Sequence, residues 1–338
     1  MDEEYESDTS QTTTEQNSEE FKEACIESFK TIKGVGQSVA EKLYDAQYYT
    51  LMDIAASPVG EFMERTQISK SSAEKIINGA RALVDLGKAE LASDLIKSED
   101  PHRLTTGCKE FDELIGGGYP LKLITEIFGE NGSGKSQTCF TATVMATRPI
   151  EEGGLDSYVV YIDTEGTFRA HRVAEIAQAR GYDVQETLSK IYVIRANTSA
   201  HQVVLMDEIK KIASQHPVRL LIIDSIISHF RAEYTGRGVL AERQQIIAKY
   251  MSELKSFAIN NDACVIVSNQ VAARPDAFFG DPNNVVGGNV VGHASAYIIK
   301  VRKGKAGARV FGLIKSPDYP AGECVALLNE KGITDKIR

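Results

Sequence analysis

The chain has 338 residues, 42% of them apolar, and a formal net charge of −9. That length allows two domains with packed cores, and no apolar run approaches the roughly 20 residues of a membrane span. The acidic, polar start MDEEYESDTS argues against a secretory leader. The five scattered cysteines (Cys25, Cys108, Cys139, Cys264 and Cys324) form no Cys-x-x-Cys pair, which argues against zinc and suits a reducing compartment.

The acidity is concentrated at one end. Residues 1–20 carry eight acids and no base, which accounts for all but one unit of the net charge, so the body is nearly neutral and DNA is not excluded as a partner. Rich in Glu, Ser, Thr and Gln, residues 1–20 are expected to be a disordered acidic tail, either solubilising or competing with DNA for basic surface.

Residues 21–85 read as short helices. FKEACIESFK has helical spacing, and TIKGVGQSVAEKLYDA follows with Gly34 and Gly36 bracketing Val35 and with Ala40 and Leu43 on one helical face. This is the pattern of a helix-hairpin-helix, whose glycine turn presents amide N–H groups to a DNA phosphate without reading sequence; an ordinary glycine-containing connection gives the same letters. A second copy, TQISKSSAEKII, lacks the glycines and is expected to be structural. Residues 86–104, polar and with Pro101 near their end, read as a linker or docking arm.

Residues 105–338 alternate apolar strand-like runs with helical patterns. The runs are LKLITEIF, YVVYID, IYVIRA, RLLIID, ACVIVSN, AYIIKVRK, RVFGLIK and ECVALLN. Helical stretches such as RVAEIAQAR and QQIIAKYMSELKSFA separate the first five, so an α/β fold is expected: a mostly parallel twisted sheet with helices on both faces. The last three runs have short connections and should extend the sheet as hairpins.

GENGSGKS follows the first run. Gly129, Glu130, Asn131, Gly132, Ser133, Gly134, Lys135 and Ser136 match G-x-x-x-x-G-K-[ST] between a strand and a helical stretch, with Gln137 next. The glycines let backbone N–H groups approach a polyphosphate, Lys135 would neutralise the β/γ oxygens and Ser136 would ligate Mg²⁺, so ATP and Mg²⁺ are the expected cofactors. Asp224, at the end of RLLIID, would hold the same Mg²⁺ through water. After YVVYID, Asp163 or Glu165 should polarise the attacking water; Glu165 lies further past the strand and reaches better, leaving Asp163 as a cap or as a group that supports the site from behind.

These motifs sit within longer matching stretches: YIDTEGTFR, LLIIDSIISHFRAEYTGRG, AERQQ, SNQVAARPDAFFGDP, GGNVVGHAS and VRKGK. Together with the N-terminal hairpin, from about residue 25 onward, they resemble the RecA/RadA family of DNA strand-exchange recombinases, most closely its archaeal RadA branch. The resemblance implies a RecA-like P-loop ATPase core behind a small all-α helix-hairpin-helix domain. It also implies that Glu165 activates water, that Arg172 lies against the adenine, and that Gln270 senses the γ-phosphate. It places Arg231, Tyr234 and Arg237 on a first DNA loop. A second loop, from about Val271 to Asn289, carries Arg274, Gly287, Gly288 and Asn289. Members assemble as helical filaments or rings with ATP at subunit interfaces, work on single- and double-stranded DNA with recombination mediators, and reside in the cytoplasm with the nucleoid or, in eukaryotes, in the nucleus.

The residues give this physical sense. RAEYTGRG sets two arginines and a tyrosine among glycines, and arginine pairs with phosphate while tyrosine stacks. The Gln270 amide can bond a γ-phosphate and move the loop that follows it. The basic hairpin KVRKGKAGAR contacts DNA or serves solubility. Three departures stand out. The polymerisation motif Phe-x-x-Ala reads Ala89-Glu90-Leu91-Ala92, so assembly is weaker or uses an anchor such as Leu91. The usual FRPER segment reads FRAHR, with Ala170 and His171. Lys315 replaces an aspartate that resembles a monovalent-cation seat near the neighbour's γ-phosphate, where an ammonium would substitute for the ion.

The leading expectation is an ATP-dependent recombinase that coats single-stranded DNA, pairs it with a homologous duplex and exchanges strands. A mediator of the same fold, binding ATP and DNA without exchanging strands, is the alternative. A small-molecule P-loop kinase fits the long open loops poorly.

Overall fold

The computed structural model describes residues 9–84, 91–94, 102–236, 238–273, 283–285 and 289–336. The chain divides into two compact units, Met1–Asp100 and Pro101–Arg338.

Helices of the first unit span Thr9–Lys30, Gln37–Asp45, Leu51–Ala56, Val59–Thr66 and Lys70–Leu83. The helical spacing of FKEACIESFK propagates toward the N-terminus, so the first helix reaches back to Thr9, into the stretch expected as a disordered tail. Its Ile26 and Phe29 join Leu43, Ile54, Phe62, Ile76 and Ile77 in one core. Contact is close: a Cβ on Gly79 would come to 2.6 Å from Ile32 Cγ2. The expected glycine turn is there. Gly34 has φ +90°, a region that favours glycine, and Gly36 is the extended N-cap of the helix Gln37–Asp45. Thr50 and Asp53 cap the helix Leu51–Ala56 reciprocally, Asp53 N donating to Thr50 Oγ1 at 3.1 Å and Thr50 N to Asp53 Oδ2 at 3.0 Å.

In the second unit the described strands are β1 (Arg103–Leu104), β2 (Tyr119–Pro120), β3 (Ile124–Gly129), β4 (Tyr158–Asp163), β5 (Ile191–Arg195), β6 (Val218–Asp224), β7 (Cys264–Ala273), β8 (Asn283–Val285), β9 (Tyr297–Lys303), β10 (Ala308–Lys315), β11 (Gly322–Asn329) and β12 (Gly332–Asp335). The main sheet has the order β12-β11-β10-β9-β3-β7-β6-β4-β5. From β9 to β5 the pairings are parallel, while β9 to β12 form the expected antiparallel hairpins. Alternation along the strands splits the core into two layers. Leu220, Ile222 and Ile266 face the helices Lys135–Ala146 and Ala170–Ala179. Leu221, Ile223, Val265 and Val267 face the helices Ser199–Gln215 and Leu240–Asn260.

Several boundaries differ from expectation. Arg103 and Leu104, read as linker, pair as β1 with Pro120 and Tyr119, and His102 Nε2 bonds Gly154 O at 2.6 Å, so the sheet-bearing unit already includes them. The segment read as a loop from about Val271 contains a short ladder, with Val271, Ala272 and Ala273 opposite Val285, Asn284 and Asn283. Its far end, Asn289, opens the helix Asn289–Ala294. Two- and three-residue strands are too short to show a period of two, so only tertiary pairing reveals β1, β2 and β8.

Candidate functional site

β3 ends at Gly129, and the helix Lys135–Ala146 starts six residues later behind an N-cap, Gly134, with φ +114°. Gly132 also has positive φ, +70°, so the turn needs glycine at both places. Close approach reinforces this: a Cβ on Gly129 would come to 2.1 Å from Val301 O in the neighbouring strand. The loop therefore wraps a helix N-terminus with inward amides, an arrangement suited to phosphate. Lys135 Nζ lies across it, donating to Gly129 O at 2.9 Å and Glu130 O at 3.0 Å. Burial pushes the Lys135 pKa down, and the carboxylates of Asp224 and Glu165 only partly oppose this. Ser136 is half-buried one residue into the helix, and the Ser133 hydroxyl is buried without a partner, as expected of a group awaiting a ligand.

Two parallel strands beyond β7, β6 and β4, deliver the acids. Asp224 ends β6 and is 2% exposed. Its carboxylate accepts from Tyr161 Oη at 2.7 Å and from Ser268 Oγ. Asp163, at the end of β4, accepts from the backbone N–H groups of Glu165, Thr167 and Phe168 at 3.0–3.2 Å and so braces the turn that carries Glu165. Glu165 Oε1 accepts from Ser225 Oγ at 2.9 Å and from Gln270 Nε2 at 2.7 Å. One serine hydroxyl and one buried carboxylate are hard oxygen donors of the kind Mg²⁺ takes when phosphates and water complete its shell. Among the described residues no three His, Cys, Asp or Glu converge as a metal cage, so the residues present fit a phosphate-bound Mg²⁺ rather than a protein-enclosed ion.

Arg172 is brought to the loop's trailing edge. Its Nε donates to Gln137 Oε1 at 2.9 Å, and its terminal nitrogens bind Asn329 O and Glu330 O in the β11–β12 turn. Lys315 points elsewhere within this chain: its Nζ donates to Gly292 O at 2.9 Å and Ser295 O at 2.7 Å, at the C-terminal end of the helix Asn289–Ala294.

Arg231, expected on a loop, is exposed on the short helix Ser228–Glu233. Tyr234 caps that helix with its ring stacked on Phe230, centroids 6.4 Å apart, and half-buried rather than turned outward. Phe230 is fully buried and draws the tyrosine down. Arg237, Arg274, Gly287 and Gly288 lie outside the described residues, as does the Asn289 side chain.

Sequence reasoning missed Tyr161, Ser268 and Ser225, which hold the two acids. Period-two spacing could have found two of them: Tyr161 shares a strand face with Asp163, and Ser268 with Gln270. It also gave no sign of where the basic hairpin lies. A Cβ on Gly134 would lie 3.1 Å from Arg309 Nε, and one on Gly132 would lie 3.3 Å from Lys303 Nζ, so both cations flank the chain's own phosphate loop.

With this geometry in view, comparison with protein families is decisive. A family model described as Rad51 matches residues 98–336, most of the chain. The chain belongs to the Rad51 family. A second model, described as a SAM-like helix-hairpin-helix tandem, matches residues 19–82, which span both the glycine hairpin and its glycine-free copy. As a Rad51-family protein it is a RecA-like, DNA- and ATP-binding protein of DNA recombination and repair. No helix of the described residues is long and apolar enough to cross a membrane.

Proposed function

We propose that this Rad51-family chain is an ATP-dependent strand-exchange recombinase of the archaeal RadA type. It binds single-stranded DNA as a filament, pairs it with a homologous duplex and exchanges strands. The observation that carries the reading is the bond from Gln270 Nε2 to Glu165 Oε1, because it joins the candidate base to the strand that leads into the second DNA segment. Lys135, the loop amides and Arg172 bind the nucleotide, Ser136 and Asp224 hold Mg²⁺, and Glu165 orients water and takes its proton. Bound Mg²⁺ supplies charge neutralisation at the β- and γ-phosphates. A γ-phosphate that drew the Gln270 amide to itself would release Glu165 toward water and shift β7. DNA affinity then depends on the nucleotide through differential contact. Arg231, Tyr234, Arg237, Arg274 and the glycines at 287 and 288 are assigned to DNA, as is the Gly34–Gly36 turn, and partner specificity is left to base pairing. Tail, helix-hairpin-helix domain, linker arm and core are the working division.

The mediator reading draws on the arm, where Ala89 stands in place of the usual aromatic anchor and lies outside the described residues. Against it, Leu91 is 71% exposed, which leaves an apolar side chain available for a neighbour. The deciding experiment is ATPase activity with and without single-stranded DNA on wild type and Lys135→Ala, followed by a strand-exchange assay. DNA-stimulated hydrolysis that vanishes in the variant, together with exchanged product, is expected. Hydrolysis indifferent to DNA would overturn the reading, and stimulation without exchange would favour the mediator.

A further inference from the structure

Glu126 sits in the middle of β3 and is fully buried, yet nothing in the nucleotide site uses it. Its Oε1 accepts from Asn269 Nδ2 at 2.7 Å, and its Oε2 is buried with no partner. A half-satisfied carboxyl among valines and isoleucines is costly, so its retention calls for a physical role.

Its position suggests one. Successive strand residues point to opposite faces. Ile124 belongs to the core layer shared with Val265 and Val267, which puts Glu126 and Asn269 on that face. Gln270 has the parity of Ser268 and reaches Glu165 on the nucleotide face. Asn269 and Gln270 thus straddle the sheet, and Gln270 N also donates to Asn269 Oδ1 at 2.8 Å, so the amide of Asn269 is held between Glu126 and the Gln270 backbone. The Glu126 face is covered by the helix Asn289–Ala294, whose Val290, Val291 and Ala294 pack into the same layer. A Cβ on Gly292 would lie 3.8 Å from Glu126 Oε2. Lys315 grips the end of that helix and is close enough to favour a charged Glu126.

We propose that Glu126 and Asn269 form a positioning relay that carries the state of Gln270 through the sheet to the helix Asn289–Ala294, where the chain re-enters the core after the second DNA segment. A shift of Gln270 turns the peptide it shares with Asn269. The Asn269 amide must then slide on Glu126, and the unpartnered Oε2 gives it a second acceptor to move onto. The inference rests on the proposed function in one respect, that Gln270 responds to the nucleotide.

The test is hydrogen–deuterium exchange at residues 289–296 of the full chain, without DNA, under saturating Mg²⁺ with a non-hydrolysable ATP analogue or with ADP. In wild type the two nucleotides should give exchange rates differing about fivefold. Asn269→Ala and Glu126→Met should abolish the difference while nucleotide affinity stays within about twofold of wild type. Glu126→Gln, which keeps one acceptor oxygen for Asn269 but replaces the second with a donor, should shrink the difference as well. A difference that persists in either folded breaking variant, or is absent in wild type, overturns the relay. So does failure of both variants to fold, because the pair is then a brace. Single-stranded-DNA affinity measured alongside separates the two ideas: indifference to nucleotide in wild type sinks the proposed function, whereas the exchange data judge the relay alone.

Discussion

Gln270 Nε2 donates to Glu165 Oε1 at 2.7 Å, although the two residues stand 105 positions apart, one inside β7 and the other two residues past the end of β4. The contact binds the acid assigned to water activation to the strand assigned to sensing, so each should be separable by mutation. Glu165→Gln keeps the geometry but removes the base. Its kcat should fall about 10²–10³-fold with little change in nucleotide affinity, as read by single-turnover hydrolysis against calorimetric binding. Gln270→Ala should instead equalise single-stranded-DNA affinity in ATP and ADP.

Lys135 is the only side chain seen to bridge two carbonyls of the phosphate loop among the described residues. Lys135→Ala should weaken nucleotide binding by roughly 10- to 100-fold, the value of one or two charge-assisted hydrogen bonds. Burial lowers the pKa of this lysine, so its ammonium is lost earlier on the alkaline side than that of an ordinary lysine. Affinity in wild type should therefore fall at alkaline pH where the Lys135→Arg variant stays flat, measured by titration calorimetry across that range.

Tyr161 and Ser268 both donate to Asp224, a nearly fully buried carboxylate. Tyr161→Phe removes one donor and leaves the acid under-bonded, which should cost about 1–3 kcal/mol of stability in denaturant unfolding. The apparent Mg²⁺ affinity should change as well. Unchanged stability would show that Ser268 alone satisfies Asp224.

Lys315 places a fixed cation on two carbonyls at the end of the helix Asn289–Ala294. DNA-stimulated ATPase activity should accordingly be insensitive to exchanging potassium for a large organic cation at constant ionic strength. Lys315→Asp removes that charge and should create a potassium requirement. A strong requirement already present in wild type would refute the assignment.

Burial raises the pKa of Glu126, against the hydrogen bond from Asn269 and the charge of Lys315. An acid whose folded pKa lies above its unfolded one binds more protons when folded, so its stabilising contribution is full below the unfolded value and lost as pH rises through the folded value. Glu126→Gln cannot titrate. Its stability should exceed that of wild type increasingly from about pH 4.5 upward, the ordinary carboxyl range, as measured by urea unfolding at a series of pH values.

What the sequence made legible follows the physics of each signal. Eight apolar runs became strands because each was long enough to show its burial, and GENGSGKS was readable because its glycines sit where backbone torsions demand them. Asp224 and Glu165 could be placed because each follows a buried strand. The partners of those acids were harder: Ser225 follows β6 while Ser268 and Tyr161 lie in β7 and β4, and only parallel pairing of β4, β6 and β7 makes them neighbours. The half-burial of Tyr234 was not legible because nothing local shows that Phe230 is buried beneath it. That Lys303 and Arg309 flank the phosphate loop was not legible, since the letters carry no sign that β9 runs beside β3.

The lysine laid over the loop's own carbonyls has one more consequence. A triphosphate bound as proposed would let the ammonium trade its two backbone oxygens for oxygens of the ligand, and product release would reverse the trade. Neither direction would strand a buried charge, so the loop can keep its shape throughout. Refilling it asks for a swing of one side chain, not the rebuilding of a turn.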